Sequence, residues 1–148
     1  LRRQPLIVSV QAAEKSAIDH EETLARLARA SLAQGIAMFR LEGVKAIRHV
    51  RPQLGNVTVI GLLKRRYPDS DVYITPTKQD ADAILDEKIP VVAIDGTDRP
   101  RPRGATRKAI IDHVHVRRGL VMADCDSYES AMAAIADGAD IVGTTLAG

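Results

Sequence analysis

Six short apolar runs, none with polar alternation and each separated from the next by an amphipathic stretch, narrow the possible folds more than any other feature of this chain. The runs cover residues 6–10, 36–41, 57–63, 91–95, 120–124 and 141–146. A strand buried on both faces reads as such a run, whereas a half-exposed strand alternates. The intervening stretches have helical spacing. Leu24, Leu27, Ala28 and Leu32 follow Asp19, an expected N-cap with Glu22 three residues on, and Gly35 marks the stop. Val44, Ile47 and Val50 make a short second helix. Thr77 with Asp80 caps a third, carrying Ala81, Ile84 and Leu85, and Ile110, Ile111 and Val114 mark a fourth. Ser127 caps a fifth, with Ala131, Met132, Ile135 and Ala136 expected on its inner face and Gly138 at its end. Tyr73-Ile74-Thr75 reads as an extended piece of the loop after the third strand rather than a strand of the sheet.

Alternating strands and helices predict a parallel sheet with right-handed crossovers. An open doubly wound sheet usually carries a glycine-rich phosphate turn after its first strand. Here that turn is Ser9-Val10-Gln11-Ala12-Ala13, with no glycine. Polar residues instead close many strands: Gln11, Arg40, Lys64, Asp95, Asp124 and Thr144. Barrels of β/α units build their active sites from such strand ends around one mouth. The expectation is a (β/α)8 TIM barrel of which residues 1–148 form a single domain with the first six units, cut off after the sixth strand. A whole barrel has eight units and about 250 residues.

Composition removes several function classes. Aromatics are only 3% of the chain, so the core rests on Ile, Leu, Val and Ala, and a base-stacking surface for nucleic acid is not expected. The formal charge of +2 suits a small anionic ligand and lacks the surplus of a nucleic-acid binder. Cys125 is the one cysteine and cannot form an internal disulfide. No apolar run reaches membrane-spanning length. The start, Leu1-Arg2-Arg3-Gln4-Pro5, has neither a signal peptide's apolar segment nor an initiator methionine, which points to an incomplete N-terminus and, by default, to the cytoplasm.

Several strand-end residues could carry chemistry. Lys64 ends an apolar strand and would face the barrel mouth, where partial desolvation and a neighbouring cation such as Arg40 lower a lysine pKa and free the amine as base or nucleophile. It could equally be the first solvated residue after the strand. Arg40 suits a phosphate, carboxylate or carbonyl oxygen, or a salt bridge to Glu42 or Asp95. Gln11 could bind a hydroxyl or N-acetyl group, or cap its loop. Asp124 could orient Lys64 or bind sugar hydroxyls, or act as a cap beside Ser127. Asp95, before Gly96-Thr97, is expected to be structural. The loop Asp98-Arg99-Pro100-Arg101-Pro102-Arg103-Gly104 reads as a stiff, solvated surface. His113 and His115 are two apart, which on a helix points them to different faces, and no Cys/His metal pattern, nucleotide loop or nucleophile elbow is present. Cys125 is expected to pack rather than react.

The segments Leu6-Ile7-Val8-Ser9-Val10-Gln11 and Ile60-Gly61-Leu62-Leu63-Lys64-Arg65-Arg66-Tyr67-Pro68-Asp69-Ser70-Asp71-Val72-Tyr73-Ile74-Thr75-Pro76-Thr77 strongly resemble the N-acylmannosamine-6-phosphate 2-epimerase family. So do Ala93-Ile94-Asp95 with Arg101-Pro102, Met122-Ala123-Asp124, and Thr144-Thr145-Leu146-Ala147-Gly148. The resemblance implies a phosphate-binding (β/α)8 barrel that interconverts N-acetylmannosamine 6-phosphate and N-acetylglucosamine 6-phosphate, a step of sialic acid and amino-sugar breakdown, with no cofactor and no metal. It implies Lys64 as the base at C2, Asp124 as the family aspartate near it, and Arg40 and Gln11 as substrate contacts. The family's second acid/base residue, a glutamate in a Glu-Gly-Arg motif on the seventh strand, and most of its phosphate site fall outside these 148 residues. The 148 residues alone are therefore expected to be inactive. Val10, the run Phe39-Arg40-Leu41-Glu42-Gly43, Asp126 and Tyr128 depart from the usual family residues. Two other readings stay open: a different sugar-phosphate isomerase or Schiff-base lyase on a phosphate barrel, or a non-catalytic truncated barrel. The oligomeric state is open, with a homodimer as the candidate because such barrels often pair.

Overall fold

A computed structural model describes residues 6–147; Leu1–Pro5 and Gly148, and the expectations placed on them, lie outside the described residues. Six strands and five helices alternate: β1 Val8–Val10, α1 Glu21–Ala33, β2 Met38–Glu42, α2 Val44–Val50, β3 Thr58–Leu62, α3 Lys78–Leu85, β4 Val91–Asp95, α4 Arg107–Val116, β5 Leu120–Asp124, α5 Tyr128–Ala136 and β6 Ile141–Gly143. The strands are all parallel and lie in sequence order, β1 to β6. A doubly wound sheet would reverse its order at a switch point. This one does not, and the strands curl into the larger part of a (β/α) barrel.

Register sorts side chains onto two faces. Phe39, Leu41, Val59, Val92, Ile94 and Val121 turn outward and pack in one cluster with Leu24, Ala28, Ile47, Ile84, Ile110 and Ile111 of the helices. Ile60, Leu62, Val91, Ala93 and Met122 turn inward with Ile74. Gly61 is outward-facing, and a Cβ there would come within 2.5 Å of Ile84 Cγ2, so glycine lets α3 lie close on β3.

The helix starts follow side-chain chemistry. Thr77, Thr106 and Ser127 each accept a backbone N–H three residues on, capping α3, α4 and α5. The cap of α1 is His20 rather than Asp19: its ring accepts the Glu22 N–H, while Asp19 accepts the Lys15 N–H at 2.7 Å. The first and sixth strands are shorter than the apolar runs because each has a hydrogen-bonded neighbour on one side only.

Two further expectations are corrected. On α5 the residues turned to the sheet are Ser130, Ala134 and, as expected, Ala131, whereas Met132 and Ile135 are about half exposed, at 47% and 49%, and Ala136 is exposed. A helix apolar most of the way round has two apolar faces, and its small one lies against Ala123 and Cys125. The loop after β4 is not all solvated surface either. Arg101 and Pro102 are buried. The Arg101 guanidinium donates to the carbonyls of Asp95, Thr97 and Arg99, collecting acceptors that the turn leaves unpaired. Among the described residues no helix is long and apolar enough to cross a membrane.

Candidate active site

The C-terminal strand ends gather the polar residues on the concave face. Ser9 is in register with Arg40, Arg40 with Ile60, and Asp95 with Asp124, so these residues share the inward face with Leu62. Alternation carries the same face on to Gln11, Glu42 and Lys64.

Arg40 on β2 reaches across the barrel to Asp124 on β5 and forms an ion pair with Oδ2. The carboxylate is fully buried and the guanidinium nearly so. Burial pushes the Asp124 carboxyl above its ordinary range, while Arg40 and the Thr145 hydroxyl pull the other way. This pairing replaces the expected salt bridge from Arg40 to Glu42 or Asp95, and Asp124 is not the cap of α5, which Ser127 provides itself. Asp95 holds its own turn, accepting the Thr97 N–H at 2.8 Å and hydroxyl at 2.6 Å. Asp95 Oδ2, Asp124 Oδ1 and Arg40 Nε are buried without a protein partner among the described residues. The inner face thus retains two acceptors and a donor.

Lys64 leaves β3 exposed, on the wall of a cavity of about 600 Å³ lined also by Glu42, Arg65, Arg66, Tyr73 and the loop after β1, including Ala12 and Asp19. Its backbone N–H donates to Glu42 Oε1 at 3.3 Å. Among the described residues no hydrogen bond or ion pair joins the Lys64 side chain to Asp124, Arg40 or Gln11. Gln11 donates to Ser9 Oγ at 2.6 Å and borders a separate groove beside α1. The four predicted residues share one rim, and direct contact brings together only Arg40 and Asp124. Glu42, read in the sequence only as a salt-bridge partner, is a rim residue as well. Glu42 lies two positions after Arg40, hence on the same strand face, which is a signal legible in the sequence.

His113 and His115 go to different carboxylates, Asp82 and Asp140, both at 2.8 Å, and so link α4 to α3 and to the start of β6. Cys125 is buried, and burial pushes its thiol pKa up.

A sequence-ordered parallel sheet with helices on one side and charged residues at its strand ends defines a (β/α)-barrel protein with a mouth built for a small polar ligand. Residues 24–148 match the family described as "Putative N-acetylmannosamine-6-phosphate epimerase", and the chain belongs to that family. Relatives named "Putative N-acetylmannosamine-6-phosphate 2-epimerase" include one from Synechococcus elongatus, 44% identical over 97% of this chain, and one from Clostridioides difficile, 39% identical over 97%. The chain spans 62% and 64% of their respective lengths. The structure of the N-acetylmannosamine-6-phosphate 2-epimerase from Clostridium perfringens superposes with a TM-score of 0.90 at 35% identity, over 95% of this chain and 61% of that one. A dipeptide epimerase from Enterococcus faecalis, 15% identical with a TM-score of 0.54, shares the fold alone.

Proposed function

We propose that this chain contributes the C2-deprotonating side of an N-acetylmannosamine-6-phosphate 2-epimerase, an isomerase of amino-sugar and sialic acid breakdown. The observation that carries the reading is Lys64 at the inward end of β3, on the wall of the mouth cavity, in a chain of this family.

The C2 proton of the open-chain sugar is acidic because C1 is a carbonyl. The neutral amine of Lys64 takes that proton, and the electron pair moves onto the C1 oxygen as an enolate. A cation or donor near that oxygen stabilises the charge, and Arg40 places a guanidinium on this face. Gln11 serves the N-acetyl group or a hydroxyl. Asp124 keeps Arg40 in place and offers its free Oδ1 to a hydroxyl. Return of a proton to the opposite face inverts C2, and this requires a second acid. The family resemblance places that acid on a seventh strand, together with most of the phosphate site. A cytoplasmic location and a homodimer fit this reading.

The test follows solvent deuterium into C2 of N-acetylmannosamine 6-phosphate with the full-length chain. Exchange with inversion is expected, and Lys64→Ala should slow it by roughly 10²–10⁴-fold. Borohydride trapping of substrate on Lys64 would instead mean an imine and a lyase, and would overturn the assignment.

A further inference from the structure

The loop out of β3 is held by a carboxylate that the proposed chemistry does not use. Asp80, in the first turn of α3, is fully buried. The Thr77 hydroxyl donates to its Oδ2 at 2.6 Å and the Tyr67 hydroxyl to the same oxygen at 3.1 Å, while the Arg65 guanidinium lies 2.9 Å from Oδ1. Arg65 directly follows Lys64, and Tyr67 follows two residues later. One buried carboxylate therefore grips the chain just downstream of Lys64.

The same segment is held from the other direction. Lys64 forms an antiparallel bridge with Ile74, and the Arg65 N–H donates to the Tyr73 carbonyl at 2.9 Å. Thr75 lies between the ends of β3 and β4: its N–H donates to Leu63 O, while Ile74 O accepts from Asp95 N–H. Thr75 is fully buried at φ +43°, in the left-handed region, where a β-branched residue is an outlier. Such strain persists where the surroundings over-determine it, and it clusters at functional sites. Helix capping explains little of this. The Thr77 side chain already caps α3, and an acidic residue in a first turn favours the helix dipole while exposed. Capping leaves the tethers to Arg65 and Tyr67 unexplained.

We propose that Asp80 is a positioning residue for Lys64. By tethering Arg65 and Tyr67 it fixes where the end of β3 delivers the lysine amine into the cavity. Asp80 meets no reacting atom and acts only through the loop. The inference rests on the reading of Lys64 as the C2 base. A misplacement of about 1 Å can cost about 100-fold in rate.

The test compares Asp80→Asn, Asp80→Glu and the double variant Arg65→Gln/Tyr67→Phe with the parent, all in the full-length chain. Asp80→Asn should lower kcat for C2 exchange about 10–100-fold with KM within about threefold, and Asp80→Glu should restore part of it. The double variant leaves the Thr77–Asp80 cap in place and should show the same kcat loss, which keeps the test open where Asp80→Asn folds poorly. Folded double variant turning over at the parent kcat overturns the proposal and leaves Asp80 a helix cap. A second readout needs no catalysis: the acetylation rate of Lys64 by acetic anhydride, measured by mass spectrometry relative to Lys108 on α4. It should change severalfold in both variants. If the parent exchanges no C2 proton, the functional reading fails on its own, and the labelling ratio still judges the tether. An unchanged ratio in both variants overturns it.

Discussion

Arg40 and Asp124 show what one residue costs on this face. The pair crosses from β2 to β5, with the carboxylate fully buried and the guanidinium side chain 12% exposed. Arg40→Met leaves Asp124 buried without its cation, and breaking such a pair costs about 3–5 kcal/mol. Because Arg40 keeps some access to water, the low end of that range is expected at neutral pH. The pH dependence has a definite sign. Burial already raises the folded-state pKa of Asp124 above its unfolded value, so ionising it opposes folding, and stability falls as pH rises through the folded pKa. Without Arg40 that pKa rises further. Urea unfolding should therefore show the Arg40→Met deficit shrinking from pH 7 to pH 4, and a pH-independent deficit would contradict the account. Replacing both partners, as Arg40→Met/Asp124→Leu, should recover much of the loss. Both residues stood out in the sequence as strand-end polar groups. Their pairing did not, because it depends on how far the sheet curls between β2 and β5.

Among the elements, the loop from β3 to α3 is tied down by several side chains. The Thr75 hydroxyl accepts the Leu63 N–H at 3.1 Å and donates to the Ala93 carbonyl at 2.6 Å, both inside the molecule. Thr75→Val keeps the shape and removes both bonds. An unsatisfied buried group costs about 1–3 kcal/mol, so a loss in that range or above is expected, read as a lower urea midpoint with unchanged slope. A loss below about 0.5 kcal/mol would mean that the hydroxyl bridge from Leu63 to Ala93 adds nothing to the β3–β4 ladder. Local chemistry made the caps at Thr77 and Ser127 legible in advance, since a cap needs only its own turn. The inner face of α5 is not legible in the same way, because its apolar residues run most of the way round and only contact with Ala123 and Cys125 chooses the buried side.

For the whole molecule, both ends of the sheet matter. Among the described residues β1 pairs only with β2 and β6 only with β5, and large apolar side chains stand exposed near both: Leu6 and Leu27 beside β1, and Met132, Ile135 and Val142 beside β6. Unpaired edges and open apolar surface invite association. The curated relatives are longer than this chain, and the proposed reaction needs a second acid beyond it. The 148 residues expressed alone should therefore not invert C2 of N-acetylmannosamine 6-phosphate and should self-associate in sedimentation. Measurable inversion by that chain would show that the second acid already lies within it, with Glu42 the first residue to test.

By itself the sequence determined the order of elements, the parallel barrel, the caps of α3 and α5 and the strand-end positions of Gln11, Arg40, Lys64 and Asp124. These follow from short-range periodicity and from the rule that a covered parallel strand is apolar until it meets the mouth. Only the tertiary structure decided that Arg40 finds Asp124 rather than Glu42 or Asp95, that Arg101 is buried, and that Asp80 gathers Arg65 and Tyr67 behind Lys64. Each is a contact between residues far apart in the chain or folded back across a loop. Such contacts are selected by the curl of the sheet and the cost of leaving a buried charge unpaired, and neither appears in any local pattern of residues.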